Sequence, residues 1–213
     1  MPGAPPPGLA AHKKTLTASE RDEAARASWR DEAAALAPET LLFLDETSTH
    51  TAMTRRRARA PRGQRAHGTV PRNHGPNVTL LAVLGPHGIA TALSIEGATT
   101  RPIFDGFVEE FLVPVLRPGQ TVVLDNLAVH KSPRAEALVP AAGGRLLFLP
   151  PYSPDCTPIE PICAKVKTSL RASAARTGDD LLAATKTALD AVTADDAAGC
   201  YADCGFPLPL QLP

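Results

Sequence analysis

Three acidic residues stand beside the apolar, strand-like runs of this sequence: Asp45, Asp125 and Glu160. Asp45 and Asp125 directly follow runs suited to buried strands, and Glu160 opens a helical pattern after a third run. Carboxyl ends of neighbouring strands in a mixed α/β sheet converge on one edge, where ligands bind. Carboxylates gathered there repel one another, and their useful purpose is to hold hard divalent cations. Two such ions about 4 Å apart can activate a water or a 3′-hydroxyl and stabilise the departing oxygen of a phosphodiester.

Two of these carboxylates also have simpler interpretations. Thr157 is a good N-cap, and Pro158 suits the first helical position because its missing N–H costs nothing there. Glu160 then falls at the third position and completes a Thr-x-x-Glu capping box, so it could simply cap its own helix. Asp45 must be paired, solvated at a cleft or bound to a cation, since an unpaired buried charge is very costly.

The elements that must position the acids are predicted from hydrophobic spacing and turn residues. Continuous apolar runs indicate buried strands, and two β-prone runs joined by Gly-Pro-His-Gly indicate an antiparallel hairpin. In chain order, the predicted elements are strands at Leu41–Thr47, Val78–Leu84 and Ile89–Ile95, an amphipathic helix at Arg101–Leu116, a strand at Val122–Asn126, a helix from the Ser132 cap to Ala142, a strand at Leu146–Leu149, a helix after Thr157, and helices at Leu181–Val192 and Asp195–Tyr201.

The flanks of this core differ in composition from it. Residues 1–16, rich in Pro, Gly and Ala, and the tail 207–213 are predicted to be disordered. Residues 17–40 form a predicted helix linker, with Ser19 as its N-cap and Trp29 as a packing anchor.

Composition narrows the classes of partner. Lysine plus arginine equals aspartate plus glutamate, 22 each, so global charge gives no argument for nucleic acid. One arginine-rich segment contains no acid; such runs are usually solvated loops, but clustered arginine also attracts phosphate backbones. No window of about eighteen apolar residues predicts a membrane span. The four cysteines form no C-x-x-C pair and no signal-peptide core is present, which predicts reduced thiols and a cytoplasmic location. The arginine-rich segment without acids contains Arg55, Arg56, Arg57, Arg59, Arg62 and Arg65.

Three segments together resemble the catalytic domain of the IS630/Tc1/mariner superfamily of DDE transposases: LLFLDET, VVLDNLAVHK and LPPYSPDCTPIEPICAKVK. The thirty-four residues between Asp125 and Glu160 also match that superfamily. The resemblance implies an RNase H-like α/β fold over residues 41–206, a mixed five-stranded sheet flanked by helices. It further implies a metal-binding catalytic triad of Asp45, Asp125 and Glu160, two Mg²⁺ or Mn²⁺ ions, and cut-and-paste transposition by strand cleavage and transfer.

The same resemblance suggests residues around the triad. Asn126, His130 and Lys131 match the family's DN-x-x-x-HK segment, which implies that they contact DNA or support the metal site, unless His130 is simply a surface histidine or one that lies behind the metal ligands. Lys167 shares a helix face with Glu160 and could reach a phosphate, although a solvated lysine fits equally well. The predicted DNA contacts are Arg55, Arg56, Arg57, Arg62, Asn126, His130, Lys131, Lys165 and Lys167.

Partners and alternatives follow from the same comparison. Full-length relatives carry N-terminal helix-turn-helix modules, for which this chain has no room before residue 40. We therefore expect transposon-end and target DNA as partners, a homodimer, a separate upstream-encoded helix-turn-helix protein, and a nucleoid-associated location. The alternative is a catalytically idle remnant that binds DNA or a partner. A cellular RNase H-like nuclease would lack the PPYSPD-x-x-PIE loop, and a nucleophile hydrolase would need an elbow such as G-x-S-x-G, which is not present.

Overall fold

The computed structural model describes residues 18–209, so the predictions for residues 1–16 and for the end of the tail lie outside the described residues. Its α-helices and strands, in chain order, are α1 (Glu23–Ala34), β1 (Leu41–Thr49), β2 (Val78–Gly85), β3 (Gly88–Glu96), α2 (Arg101–Phe107), β4 (Thr121–Leu124), α3 (Pro133–Ala141), β5 (Arg145–Phe148), α4 (Ile159–Ser173), α5 (Gly178–Asp190) and α6 (Ala194–Asp203). None of these helices is long and apolar enough to span a bilayer.

One mixed sheet of five strands organises the fold, in the order β3-β2-β1-β4-β5. The β2–β3 hairpin and the β1–β2 pair are antiparallel, whereas β4 runs parallel to both β1 and β5. Parallel neighbours need a crossover, and α3 supplies the one between β4 and β5. The predicted element order and the RNase H-like sheet are confirmed.

Helices cover both faces of this sheet because the buried strands are apolar on both sides. Leu41 and Phe43 of β1 belong to a core shared with α1, α4, α5 and α6. The alternate residues Leu42 and Leu44 belong to a second core, shared with α2 and α3. A side chain's position in a strand therefore decides which layer of helices it meets.

The N-terminal helix starts later than predicted. Asp22, not Ser19, is its N-cap, and the Asp22 carboxylate accepts hydrogen bonds from the N–H groups of Ala24 and Ala25, both at 2.9 Å. Ser19 instead donates its hydroxyl to Glu20. Both residue types are good caps, and the carboxylate next to the first turn also gains from the helix dipole.

The helix predicted at Arg101–Leu116 is helical as far as Val115 but is not regular. After α2 it continues as a π-helical turn, Val108–Leu112, and as a 3₁₀ turn, Val113–Val115. Pro114 has no N–H to donate to the carbonyl four residues before it, so the regular α-helical ladder cannot continue there.

Candidate active site

Asp45 and Asp125 lie at the same level of two neighbouring strands. The parallel register pairs Phe43 of β1 with Val123 of β4, and each acid comes two residues after its member of this pair. Residues two apart share a sheet face, and Phe43 and Val123 both belong to the core under α4. Adjacent strands are about 4.8 Å apart. The two carboxylates therefore lie side by side on the face that α4 covers.

Asp125 is held by its own loop. Its Oδ1 accepts hydrogen bonds from the Leu127 N–H at 3.0 Å and from Nδ1 of His130 at 2.5 Å. Burial alone would raise the pKa of Asp125, but these hydrogen bonds outweigh burial and hold the pKa below its usual value. Asp125 is therefore a carboxylate at neutral pH.

His130 supports this carboxylate from behind. Its side chain is fully buried, and its ring packs on Phe104 with centroids 4.7 Å apart. Nε2 of His130 is buried and has no partner among the described residues. Of the two roles predicted for His130, support of the site fits this position, and direct contact with DNA does not.

The pKa of Asp45 is shifted in the opposite direction to that of Asp125. Its carboxylate accepts a hydrogen bond from the Glu46 N–H at 2.8 Å. Burial, and then the negative charges of Glu160 and Asp125, raise the pKa of Asp45 to about 7. The Glu46 N–H and His130 act in the opposite direction but are weaker together. Around neutral pH, Asp45 is thus close to half protonated.

Glu160 is not used as a helix cap. The N-cap of α4 is Pro158, and no side chain caps this helix, so the predicted Thr157 capping box is wrong. Thr157 is in an extended conformation, and its N–H closes the 3₁₀ turn Pro154–Cys156 at 3.4 Å from the Pro154 carbonyl. The threonine therefore ends that turn instead of starting the helix. Glu160, at the exposed start of α4, is left available to the site.

The three acids line one cavity of about 570 Å³. One lining residue, Asn126, links the segments that follow β4 and β5, because its Nδ2 donates a hydrogen bond to the Leu149 carbonyl at 2.7 Å. Much of the wall is the proline-rich loop before α4, in which Tyr152 has a positive φ of 55°. The lining residues are Leu44, Asp45, Asp125, Asn126, Leu127, Lys131, Leu149, Pro150, Pro151, Tyr152, Ser153, Pro154, Thr157 and Glu160.

The donor chemistry of this cavity fits a divalent cation. Hard cations such as Mg²⁺ and Mn²⁺ prefer carboxylate oxygens. The charges of Glu160 and Asp125 raise the pKa of Asp45 further than burial does alone, so the negative charge here is not fully compensated. Among residues 18–209, however, no three His, Cys, Asp or Glu side chains lie close enough together to coordinate one metal ion. The acids share a cavity, and an ion would have to draw them together.

The other predicted DNA contacts separate into four groups. Asn126 and Lys131 line the triad cavity. Lys165 faces away, because its Nζ pairs with Asp196 and lies 3.3 Å from the Ala191 carbonyl. Lys167 and Arg56 line a second cavity beside β1. Arg55, Arg57 and Arg62 are exposed in the long segment between β1 and β2.

An ion pair beside the cavity wall, of which only the arginine is buried, was not predicted from the sequence. Arg26 of α1 is fully buried, and its guanidinium contacts both carboxylate oxygens of Asp155, at 3.1 and 2.6 Å. Asp155 lies in the loop that walls the triad cavity, and Arg26 holds the pKa of Asp155 below its usual value. Arg21 and Arg30 also reach this carboxylate, at 3.7 and 3.3 Å. No local pattern signals a partner 129 residues away.

Comparison with known proteins agrees with this geometry. The model of the DDE superfamily endonuclease family matches residues 40–182, more than half of the chain and all three acids. No curated protein sequence matches the chain.

Solved structures share the fold at low sequence identity. A pre-cleavage Mos1 transpososome gives a TM-score of 0.71 at 12% identity, over 92% of this chain and 64% of that one. A Mos1 mariner paired-end complex with Mn gives 0.69 at 14% identity with the same coverage, and the isolated Mos1 catalytic domain gives 0.63 at 9% identity, over 89% and 92%. This chain thus spans about 64% of the length of the transposase chains in those complexes. By its family match, the chain belongs to the DDE superfamily endonucleases, and it has the fold of a mariner transposase catalytic domain.

Proposed function

We propose that this chain is a transposase catalytic domain that cleaves DNA strands with divalent metal ions at Asp45, Asp125 and Glu160. One observation carries the proposal: acids from three separate elements line a single cavity in a DDE endonuclease fold. Acids so placed repel one another, which is costly for a fold and useful for a cation site.

Each acid has a distinct part in this proposal. Asp125, kept ionised by His130 and the Leu127 N–H, is the fixed ligand. Asp45 binds after it loses its proton, and Glu160 contributes from the exposed first turn of α4. The bound metal would activate the attacking oxygen and stabilise the leaving oxygen of the phosphodiester. We propose that Lys131, which lines the cavity, contacts a DNA phosphate.

We further infer strand transfer in addition to cleavage, as in cut-and-paste transposition of an IS630-type insertion sequence. Similar folds are known from a Mos1 strand transfer complex and from Mos1 complexes with a transposon end, with Mg and with Mn. By extension, the proposal includes transposon-end and target DNA, two Mg²⁺ or Mn²⁺ ions, a homodimer, a separate helix-turn-helix protein encoded upstream, and a cytoplasmic, nucleoid-associated location. We also propose Arg55, Arg57 and Arg62 as phosphate contacts, because they are exposed and cationic.

The test is a cleavage assay on DNA that carries the flanking inverted repeats, with Mg²⁺ or Mn²⁺. Asp125→Asn is expected to lower the rate at least about a hundredfold, because an amide replaces a carboxylate ligand. Asp31→Asn makes the same chemical change on the exposed side of α1 and should cut like the wild type.

The reaction is run in parallel with the upstream-encoded protein added. Cutting that needs this addition identifies a split enzyme. If folded wild-type protein cuts in neither reaction, the proposal fails and the idle remnant is the better description.

A further inference from the structure

A second cavity, of about 330 Å³, lies beside the end of β1 and has a strongly basic lining. Its basic groups come from three parts of the chain: the His50 imidazole after β1, Arg56 in the arginine-rich segment, and Lys167 and Arg171 on α4, of which the lysine and the two arginines carry the charge. Ser48 and Thr54 add hydroxyl groups. Among the residues that the structure describes, no acid lines this cavity. Its composition is that of an anion site.

The positive charge of this cavity is uncompensated within residues 18–209. Neither Lys167, Arg171 nor Arg56 forms an ion pair with a described carboxylate, in contrast to Lys165 on the same helix. His50 is close enough to Arg171 to respond to its charge. Burial first, and then the neighbouring His74 and Arg171, lower the pKa of His50. Converging cations without a counter-ion repel one another, and a bound anion relieves that repulsion.

The position of the cavity relative to the triad identifies the anion. Lys167 and Arg171 follow Glu160 by seven and eleven residues on α4, which places them on the same helix face. At 1.5 Å per residue, they lie about 10 and 16 Å along the helix from Glu160. His50 follows Asp45 by five residues, or about 17 Å of extended strand. Both elements therefore lead from the triad to the basic cavity, over a length of about three to five nucleotides of a B-form strand.

We propose that this basic cavity is a phosphate-binding subsite for the backbone of the DNA strand that passes through the triad cavity. His50 and Arg171 are its new members, joined by Lys167 and Arg56. The subsite holds DNA at a fixed distance from the acids and reads no base sequence, because its ligands are phosphate oxygens. The choice of DNA as the source of the phosphate rests on the proposed function.

The experiment measures the salt dependence of DNA binding by fluorescence anisotropy with a labelled 30-base-pair duplex in EDTA, so that no cleavage occurs. Lys167→Gln with Arg171→Gln is expected to reduce the slope of log K against log[KCl] by about two, one per lost phosphate contact. At 0.1 M salt this corresponds to roughly a hundredfold weaker binding.

The matched control is Lys186→Gln with Arg117→Gln. It removes the same two charges from exposed positions outside the cavity lining. Its slope should stay within about half a unit of the wild type. A second probe is inorganic tripolyphosphate, which should raise the unfolding temperature of the wild type and the control but not of the cavity variant.

The outcomes separate this inference from the proposed function. If the cavity variant and the control change the slope equally, or if tripolyphosphate stabilises all three proteins alike, the subsite is refuted even where metal-dependent cleavage succeeds. If no cleavage is detected but the slope of log K against log[KCl] falls only in the cavity variant, the phosphate subsite is supported and the proposed cleavage activity is not. Wild-type protein that binds no DNA at any salt concentration also overturns the inference.

Discussion

Asp45→Asn is expected to raise the free energy of unfolding of the metal-free protein at pH 8 by about 2–4 kcal/mol. The carboxylate at this position has a pKa of about 7 in the folded protein, against an ordinary value of 3.8. Burial and the charges of Glu160 and Asp125 penalise its ionised form, and asparagine removes that charge while keeping an oxygen for the Glu46 N–H. The same substitution removes a proposed metal ligand, so stability should rise as cleavage is lost.

The pH dependence follows from the direction of this shift. Between pH 3.8 and about 7, the folded protein keeps a proton on Asp45 that the unfolded chain has already released. Stability from this group is therefore complete below pH 3.8, falls as the pH rises towards 7, and is lost above it. Asp45→Asn should flatten this part of the profile, and the advantage of the variant should vanish near pH 4.

Urea unfolding of the metal-free protein at pH 5 and pH 8 measures this effect, and Asp125→Asn is its matched control. The pKa of Asp125 is lowered, so its charge stabilises the folded protein above pH 3.8 and is lost as the pH falls. Asp125→Asn should therefore destabilise at pH 8, by about 1–3 kcal/mol, because His130 loses a charged acceptor. Equal signs for the two variants at pH 8 would show that the acids do not differ as described.

The two buried strands that carry Asp45 and Asp125 could be predicted from the sequence alone. Four consecutive apolar residues before Asp45, and three before Asp125, mark strands buried on both faces. Asp125 directly follows β4 as predicted, but Asp45 is not at the end of its strand, because β1 continues to Thr49 by pairing with β2. The register of β1 and β4 then places the two acids side by side. The presence of the two buried strands needed only local patterns and the general geometry of sheets, which is why that prediction agrees with the structure, whereas the length of β1 depends on its pairing with β2.

Contacts between distant segments could not be predicted in this way. Arg26 and Asp155 are 129 residues apart, and a helix rich in arginine and glutamate gives no sign that one arginine is buried. The cap of α4 was misjudged for a related reason: Thr157 has good cap chemistry, but its conformation is set by the turn before it. His50 and Arg171 likewise meet only through the packing of α4 beside β1.

Arg26→Ala is expected to lower the free energy of unfolding by about 2–4 kcal/mol. Arg26 is the fully buried member of its ion pair, whereas the Asp155 side chain is 48% exposed. Removing the arginine empties a buried volume and breaks a bidentate contact, but Asp155 keeps Arg21 and Arg30 nearby and can be hydrated. The loss should therefore lie below that of a fully buried pair.

Arg30→Gln is the matched control, because it lies on the same helix and contacts the same carboxylate. Its side chain is 53% exposed and 3.3 Å from Asp155, so its loss should cost less than about 1 kcal/mol. Urea unfolding at pH 7 compares the two variants. A cost for Arg30→Gln equal to that of Arg26→Ala would mean that the contact works through surface charge alone and that burial adds nothing.

Arg26→Ala, compared with Arg26→Lys, also tests whether α1 acts on the site. Asp155 lies between the cavity-wall residues Pro154 and Thr157, so a freed Asp155 should loosen the loop that leads into Glu160. Well below its unfolding temperature, Arg26→Ala should cleave DNA about tenfold more slowly, as when support of a metal ligand is lost. Arg26→Lys, which keeps the charge but not the bidentate geometry, should recover part of the rate. Full cleavage activity in a destabilised but folded Arg26→Ala protein would restrict α1 to a structural role. Slower cleavage by Arg26→Ala, partly restored in Arg26→Lys, would make Arg26 a positioning residue for Glu160.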